Sequence, residues 1–198
     1  MTIRLEFWPT LAFVVMILSW IAFVLAFVLH KKPPSPPDAK RDPTSIIGIV
    51  LQGLSYAIVW MVRRVWFTPM LALPRYFDVV FAILTATLAI VSVWFCSKAI
   101  RTLGKEWSLA ARVVEGHKLV TQGPYSLVRN PIYTGMLGML LATGLAVSHW
   151  IGLVIAVAVF AIGTVIRVRS EERLLRETFG AEFDEYARRV PAVIPFVI

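Results

Sequence analysis

The sequence predicts an all-α fold: a polytopic helix bundle in a membrane, with about five spans, an amphipathic C-terminal helix and a pocket where the helices end. Three observations predict it. Of 198 residues, 58% are apolar and 16% charged, where a soluble domain carries roughly 25% charged residues. Uncharged runs of about 16–22 residues, the length that crosses a bilayer, recur along the chain. The charges gather in a few stretches between those runs. No soluble block is long enough to bury a core of its own. The expected division is residues 1–97, three spans with a Pro-rich loop, and residues 98–198, a polar loop, a helical hairpin over 131–166 and a last helix.

The first run, Phe7 to Leu29, holds no charge and is closed by His30, Lys31 and Lys32. As a helix it reaches roughly 33 Å, enough to cross the hydrocarbon. Its length, its basic exit and the balance of Arg4 by Glu6 favour a mature span over a removable signal peptide. Lys31 to Pro43 is Pro-rich and charged, cannot continue a helix, and reads as a stiff polar connector. The second run, residues 44–62, contains Gln52, whose amide needs an interhelical partner in lipid. Arg63, Arg64 and Arg75, with Trp60, Trp66 and Tyr76, mark an interface belt. The third run, residues 77–95, is ended by Lys98 and Arg101. The single cysteine, Cys96, reads as a small buried hydrophobe, with no disulfide and no metal set around it.

A fourth run (131–147) and a fifth (151–166) are joined by Ser148-His149-Trp150. Gly138 and Ala142 on one, Gly152 and Ala156 on the other, have the small-xxx-small spacing that lets helices approach, so an antiparallel hairpin is expected. His149 in its turn reads as an interfacial residue, not a ligand. After Ile166, the residues Leu175, Phe179, Phe183, Tyr186 and Val190 make an apolar stripe between charges. Such a helix lies on a membrane surface or caps a site. Gly180 should break or kink it and Pro191 end it.

With five spans, one side of the membrane collects Arg4, Arg63, Arg64 and Arg75, and the other holds sixteen of the twenty Lys and Arg. The positive-inside rule then puts the amino terminus outside and the carboxyl terminus, with both polar clusters, in the cytosol. The net charge of +8 lies beside the spans, where anionic lipid head groups, rather than nucleic acid, are the natural partners.

The first cluster runs from Gly116 to Tyr133. Gly116-His117-Lys118-Leu119-Val120 and Gln122-Gly123-Pro124-Tyr125 provide tight turns beside backbone groups free to bond a ligand. Pro131 suits a first helical position, Asn130 suits a cap, and free amides close to Arg129 would attract an anion. Tyr125 and Tyr133 offer faces on which a base could stack. The second cluster, Arg167-Val-Arg-Ser-Glu171-Glu172, sets Arg167 and Glu171 one helical turn apart at the end of a membrane helix, where ionisable residues are functional candidates. On residue chemistry alone, an ordinary interface accounts for both clusters as readily: Arg to head groups, Tyr in the belt, an exposed ion pair. No GxGxxG, Walker loop, paired CxxC or HExxH occurs, so Rossmann, P-loop and metal chemistry have no sequence support.

Taken in order, Leu103-Gly-x-x-Trp107-Ser, Gly116-His-Lys-Leu-Val120, Gly123-Pro-Tyr125, Arg129-Asn-Pro-x-Tyr133, Arg167-x-x-x-Glu171-Glu172 and Phe179-Gly-x-x-Phe-x-x-Tyr186 resemble the isoprenylcysteine carboxyl methyltransferase family. Phospholipid N-methyltransferases share much of this pattern. The resemblance covers residues 98–195, and its ordered combination is specific where each piece alone is weak. It implies S-adenosylmethionine in a cytosol-facing pocket lined by His117, Lys118, Leu119, Val120, Gly123, Tyr125, Arg129, Asn130, Tyr133, Glu171 and Glu172. It further implies a catalytic set of Arg167, Glu171 and Glu172, with Arg167 facing the acceptor. The family often carries His where this chain has Asn130, which keeps hydrogen bonding and loses titration.

Attack of a carboxylate on a sulfonium cancels opposite charges, so positioning and desolvation can supply much of the rate. A lipophilic or lipidated acceptor would arrive from the bilayer and the cofactor from the cytosol. An amine acceptor, as in phospholipid N-methylation, would need Glu171 or Glu172 as a base. Two other readings stand beside this one. The Arg129-x-Pro-x-Tyr133 motif and the tail from Phe179 to Pro191 also resemble NADPH-dependent sterol reductases. A non-catalytic scaffold would use the Pro-rich connector as an adaptor.

Overall fold

In lipid an apolar run has only its own backbone to bond, so each run closes into a helix. The computed structural model of the chain describes residues 6–29, 38–108, 111–114, 116 and 118–195. Among these residues are six helices and two short strands: α1 (Phe7–Val28), β1 (Asp38–Arg41), α2 (Ser45–Met61), α3 (Tyr76–Leu103), β2 (Arg112–Val114), α4 (Pro131–Val147), α5 (Trp150–Phe179) and α6 (Ala181–Arg189). Helices α1, α3 and α5, with 22, 28 and 30 residues, are long and apolar enough to cross a membrane. Helices α2 and α4 have 17 residues each and reach about 25 Å. The α4 helix is the most enclosed, with ten buried residues and neighbours in α1, α2, α3 and α5. The result is a membrane helix bundle, as the composition predicts.

Small residues decide which helices pair. A Cβ on Gly48 would lie 2.6 Å from the Gly163 carbonyl oxygen, and one on Gly138 would lie 2.3 Å from Ser92 Oγ. Only glycine admits approaches that close. The α2–α5 and α3–α4 pairs therefore pack along their lengths, and α1 lies along α3. The expected closure of α4 on α5 through Gly138 and Gly152 does not occur. Gly138 faces α3, and Gly152 faces Val62 and Ser148; each small surface is already taken by another neighbour. Polar side chains tie the helices further. Trp20 Nε1 donates to Thr143 Oγ1 at 2.9 Å, and the Tyr56 hydroxyl donates to the Met136 carbonyl at 2.7 Å. Gln52 Nε2 donates to Thr164 Oγ1 at 2.9 Å, the interhelical partner its amide requires. Cys96 is buried, as expected.

At the far end of α4, Arg64 donates to the carbonyls of Leu145, Ala146 and Ser148 at 2.7–2.8 Å, which satisfies acceptors that a helix end leaves open. His149 caps α5 by accepting the Ile151 amide at 3.4 Å. At the other end two helices outrun their apolar cores. The α3 helix continues to Leu103 with Lys98 and Arg101 exposed, because charge ends a span without ending a helix. The α5 helix carries the second polar cluster on an unbroken helix to Phe179, where Gly180 at φ +52° turns the chain into α6. The connector also does more than expected. A proline-free stretch of it, β1, pairs antiparallel with β2, while residues 31–37 lie outside the described residues.

Candidate functional site

A cavity of 470 Å³ opens where the C-terminal ends of α1 and α3, the first halves of α2 and α4, the lower part of α5 and α6 converge. The continuity of α5 sets three charges on its wall. The Arg167 guanidinium lies over the Tyr133 ring, 4.8 Å from its centre. Its Nη1 donates to Gln52 Oε1 at 3.3 Å, and its Nη2 donates to Glu171 Oε1 at 3.4 Å. Its stem runs over Gly48, where a Cβ would meet Arg167 Cγ at 2.4 Å. The Tyr133 hydroxyl donates to the same Glu171 oxygen. Arg167 is 5% exposed and Glu171 half-buried, so the pair is not the fully exposed one an ordinary interface would form. A buried charge persists only when it is paired and hydrogen-bonded.

Glu172 binds a different partner, Arg129 Nε, at 2.8 Å. Arg129 also donates through Nη1 to the Ala187 carbonyl at 2.7 Å and to the Val190 carbonyl. The expected anion site at the start of α4 is thereby overturned at two positions. The Arg129 and Asn130 amides bond the carbonyls of Pro191 and Ala192 at 2.8 and 2.9 Å. The Asn130 side chain donates to the Ala192 carbonyl at 3.0 Å and does not cap α4. The physical reason is that the chain after Pro191 returns alongside α4, and its carbonyls take these donors.

Tyr125 is buried in the turn Gly123–Ser126, and its carbonyl accepts the Tyr186 hydroxyl at 2.6 Å. Burial pushes both phenols above their ordinary range, so both stay neutral donors at physiological pH. Phe183 and Tyr186 bring the apolar stripe of α6 onto the cavity, so the stripe caps it. Behind the wall, Asp42 accepts from Ser170 Oγ at 2.6 Å, from the Thr44 amide at 3.0 Å and hydroxyl at 2.7 Å, and from Arg173. Burial pushes its carboxyl up, but those donors and the Arg173 charge outweigh it and hold the group at about 2. Ser170 and Arg173 bracket Glu171 and Glu172 in sequence, so this clamp fixes the stretch that carries both carboxylates.

Of the predicted site residues, Lys118, Leu119, Val120, Tyr125, Arg129, Asn130, Tyr133, Arg167, Glu171 and Glu172 all line this one cavity. Gly123 opens the turn beneath it and is not on its wall, and His117 lies outside the described residues. The wall also includes Gln52, Tyr56, Glu106, Trp107 and Arg112, which sequence reasoning did not assign to the site. Gln52 carried a signal, an amide in an apolar run. Among the described residues, no group of three His, Cys, Asp or Glu could hold a metal ion.

Residues 80–182 match the family model described as phospholipid methyltransferase. The chain is 36% identical over 101 residues to protein-S-isoprenylcysteine O-methyltransferase B of Arabidopsis thaliana, covering 50% of this chain and 51% of that protein. It is 41% identical over 101 residues to the cobalt-zinc-cadmium resistance protein CzcN of Cupriavidus metallidurans, covering 49% and 45%. To protein-S-isoprenylcysteine O-methyltransferase of Saccharomyces cerevisiae it is 35% identical over 101 residues, covering 50% and 42%. The chain thus spans about half the length of the curated relatives it matches.

Proposed function

The chain belongs to the phospholipid methyltransferase family, and we propose that it transfers a methyl group from S-adenosylmethionine to a lipophilic acceptor, preferably the carboxylate of an isoprenylcysteine-like molecule. The observation that carries this reading is the meeting of the two polar clusters in one cavity, through Arg129 with Glu172 and Tyr133 with Glu171. The relatives named as isoprenylcysteine O-methyltransferases support the choice of acceptor. The cavity volume falls in the range of about 300–1,000 Å³ usual for small-molecule sites. Its donor set suits the cofactor: two carboxylates for a positively charged molecule, aromatic rings for a base, and the 118–120 loop along the wall. When bound, S-adenosylmethionine supplies an electrophilic methyl on a sulfonium.

The chain's own residues do the rest. Glu171 and Glu172, held by Arg167 and Arg129, present fixed negative charge without sweeping through rotamers. Arg167, held over Tyr133 and against Gln52, pairs with the acceptor carboxylate and fixes its line of attack. Apolar walls beside these groups would lower the local dielectric and strengthen such attractions. A carboxylate with a pKa near ~3.5 arrives already ionised and needs no base. The asymmetry of Lys and Arg supports a topology with the amino terminus outside and the cavity facing the cytosol. Residues 98–198 would form the methyl-transfer core and residues 1–97 its membrane-embedded partner. The test is a thermal melt of the solubilised protein with S-adenosylhomocysteine, followed by transfer of radiolabelled methyl to a panel of lipophilic carboxylates, amines and thiols. Stabilisation by S-adenosylhomocysteine and label on a carboxylate are expected; stabilisation by NADPH instead, or by neither, overturns the reading.

A further inference from the structure

We infer that Gly53 sets the width of the passage through which the acceptor's apolar chain leaves the cavity, between α1 and α2. This rests on the methyl-transfer reading above. The charged side chains of the cavity include Glu106, Arg112, Arg167 and Glu171, while an apolar arm is walled by Phe23 and Phe27 of α1 and by Ile49 and Tyr56 of α2. Val24 and Val28 also line this arm, and they are 49% and 70% exposed on the outer surface of the bundle. The arm therefore opens sideways, between apolar helices, where the outside is lipid. Among the described residues, α1 lies along α3 and α2 along α5, and α1 and α2 are not a packed pair.

Gly53 is on the arm's wall, and it is unlike the other glycine of its helix. A Cβ on Gly48 would strike Arg167 and the Gly163 carbonyl, whereas one on Gly53 would meet no atom of the described residues within 4 Å. Helix packing explains the first glycine and leaves the second unexplained, and a helix-interior glycine weakens its helix. The space that its missing side chain vacates belongs to the cavity. Its neighbour Gln52 bonds Arg167, so the junction between a charged head and an apolar chain falls at residues 52 and 53. The occupant that fits is a single-chain amphiphile with an anionic head at Arg167 and its tail passing Gly53 into the bilayer.

The test compares wild type with Gly53→Ala and Gly53→Leu in nanodiscs, using N-acetylcysteine acceptors bearing isopentenyl, geranyl, farnesyl or geranylgeranyl thioethers. Gly53→Leu should lower kcat/KM for the farnesyl acceptor by at least about tenfold relative to the isopentenyl one, with Gly53→Ala intermediate. Stabilisation by S-adenosylhomocysteine should be unchanged in both variants. Equal loss at every chain length, or no loss, overturns the inference and leaves methyl transfer standing. Loss of a co-purifying bilayer lipid from Gly53→Leu without altered chain preference also overturns it, since a resident lipid would then fill the arm. If wild type methylates none of the series, the acceptor reading fails and the inference falls with it.

Discussion

Asp42 is not on the cavity wall, yet its clamp on Ser170 and Arg173 makes it the sharpest test of how the carboxylate-bearing stretch of α5 is held. The perturbation is Asp42→Asn, which keeps the size and one acceptor oxygen and removes the charge. A carboxyl ordinarily at 3.8 and held at about 2 contributes about 2 kcal/mol at neutral pH, after a discount for Arg173, whose side chain is 59% exposed. The sign follows from the depressed value: the contribution is complete above the unfolded-state pKa and is lost as pH falls from about 4 towards 2. At pH 7 the variant should melt about 4–8 °C lower than wild type, and the gap should narrow at pH 3 and close near pH 2. Thermal unfolding of detergent-solubilised protein across that range measures it. Stabilisation by S-adenosylhomocysteine should weaken in step, because Glu171 and Glu172 lose their anchor. An unchanged midpoint at pH 7, or a penalty that persists undiminished to pH 2, would refute the clamp.

Three further outcomes are expected. Glu172→Gln deprives Arg129, whose side chain is only 13% exposed, of its counter-charge; it should cost about 3 kcal/mol in stability and most of the stabilisation by S-adenosylhomocysteine, read in the same melts. Arg64→Met removes the donors that close the end of α4, at the opposite end from the cavity, and should lower stability by about 1–3 kcal/mol while kcat/KM is retained. Burial holds the Arg64 guanidinium down at about 10, still protonated at pH 7, so that penalty should be flat from pH 6 to 8. For a carboxylate acceptor, kcat/KM should also be flat over that interval; a steep rise with pH would point to a neutral amine as the nucleophile.

Much of the fold was legible because lipid forces each apolar run to bond itself. The bounds of α4 follow directly from Pro131 and the polar turn at Ser148. The pairing of helices was not legible. Small-residue spacing on α4 and α5 says that each approaches something closely, but not whether that neighbour is its partner in the hairpin or α3 and α2. Helix length was also underread at Lys98 and Arg167, where charge marks the membrane boundary while the backbone bonds continue. In the site, the two clusters could be named from spacing, but the pairing of Glu172 with Arg129, 43 residues away, leaves no trace in local spacing. Asp42 carried no signal at all: one acid among the charges of a connector gives no hint of four donors, from three residues, converging on it.

The pairing pattern bears on which acceptor the cavity serves. Glu171 already receives Arg167 and the Tyr133 hydroxyl, and Glu172 receives Arg129. Carboxylates held in place by such donors are set as counter-ions for a cationic ligand. Asn130 cannot titrate, and its amide is committed to the Ala192 carbonyl. An amine acceptor must shed a proton, whereas a carboxylate need only be desolvated and aligned, the role proposed above for Arg167 over Tyr133. The N-terminal helices, outside the family match, supply Gln52 to that arginine and the apolar arm beyond it. Under the proposed methyl transfer, the matched half would hold the charged methyl donor and the unmatched half would choose what receives the methyl.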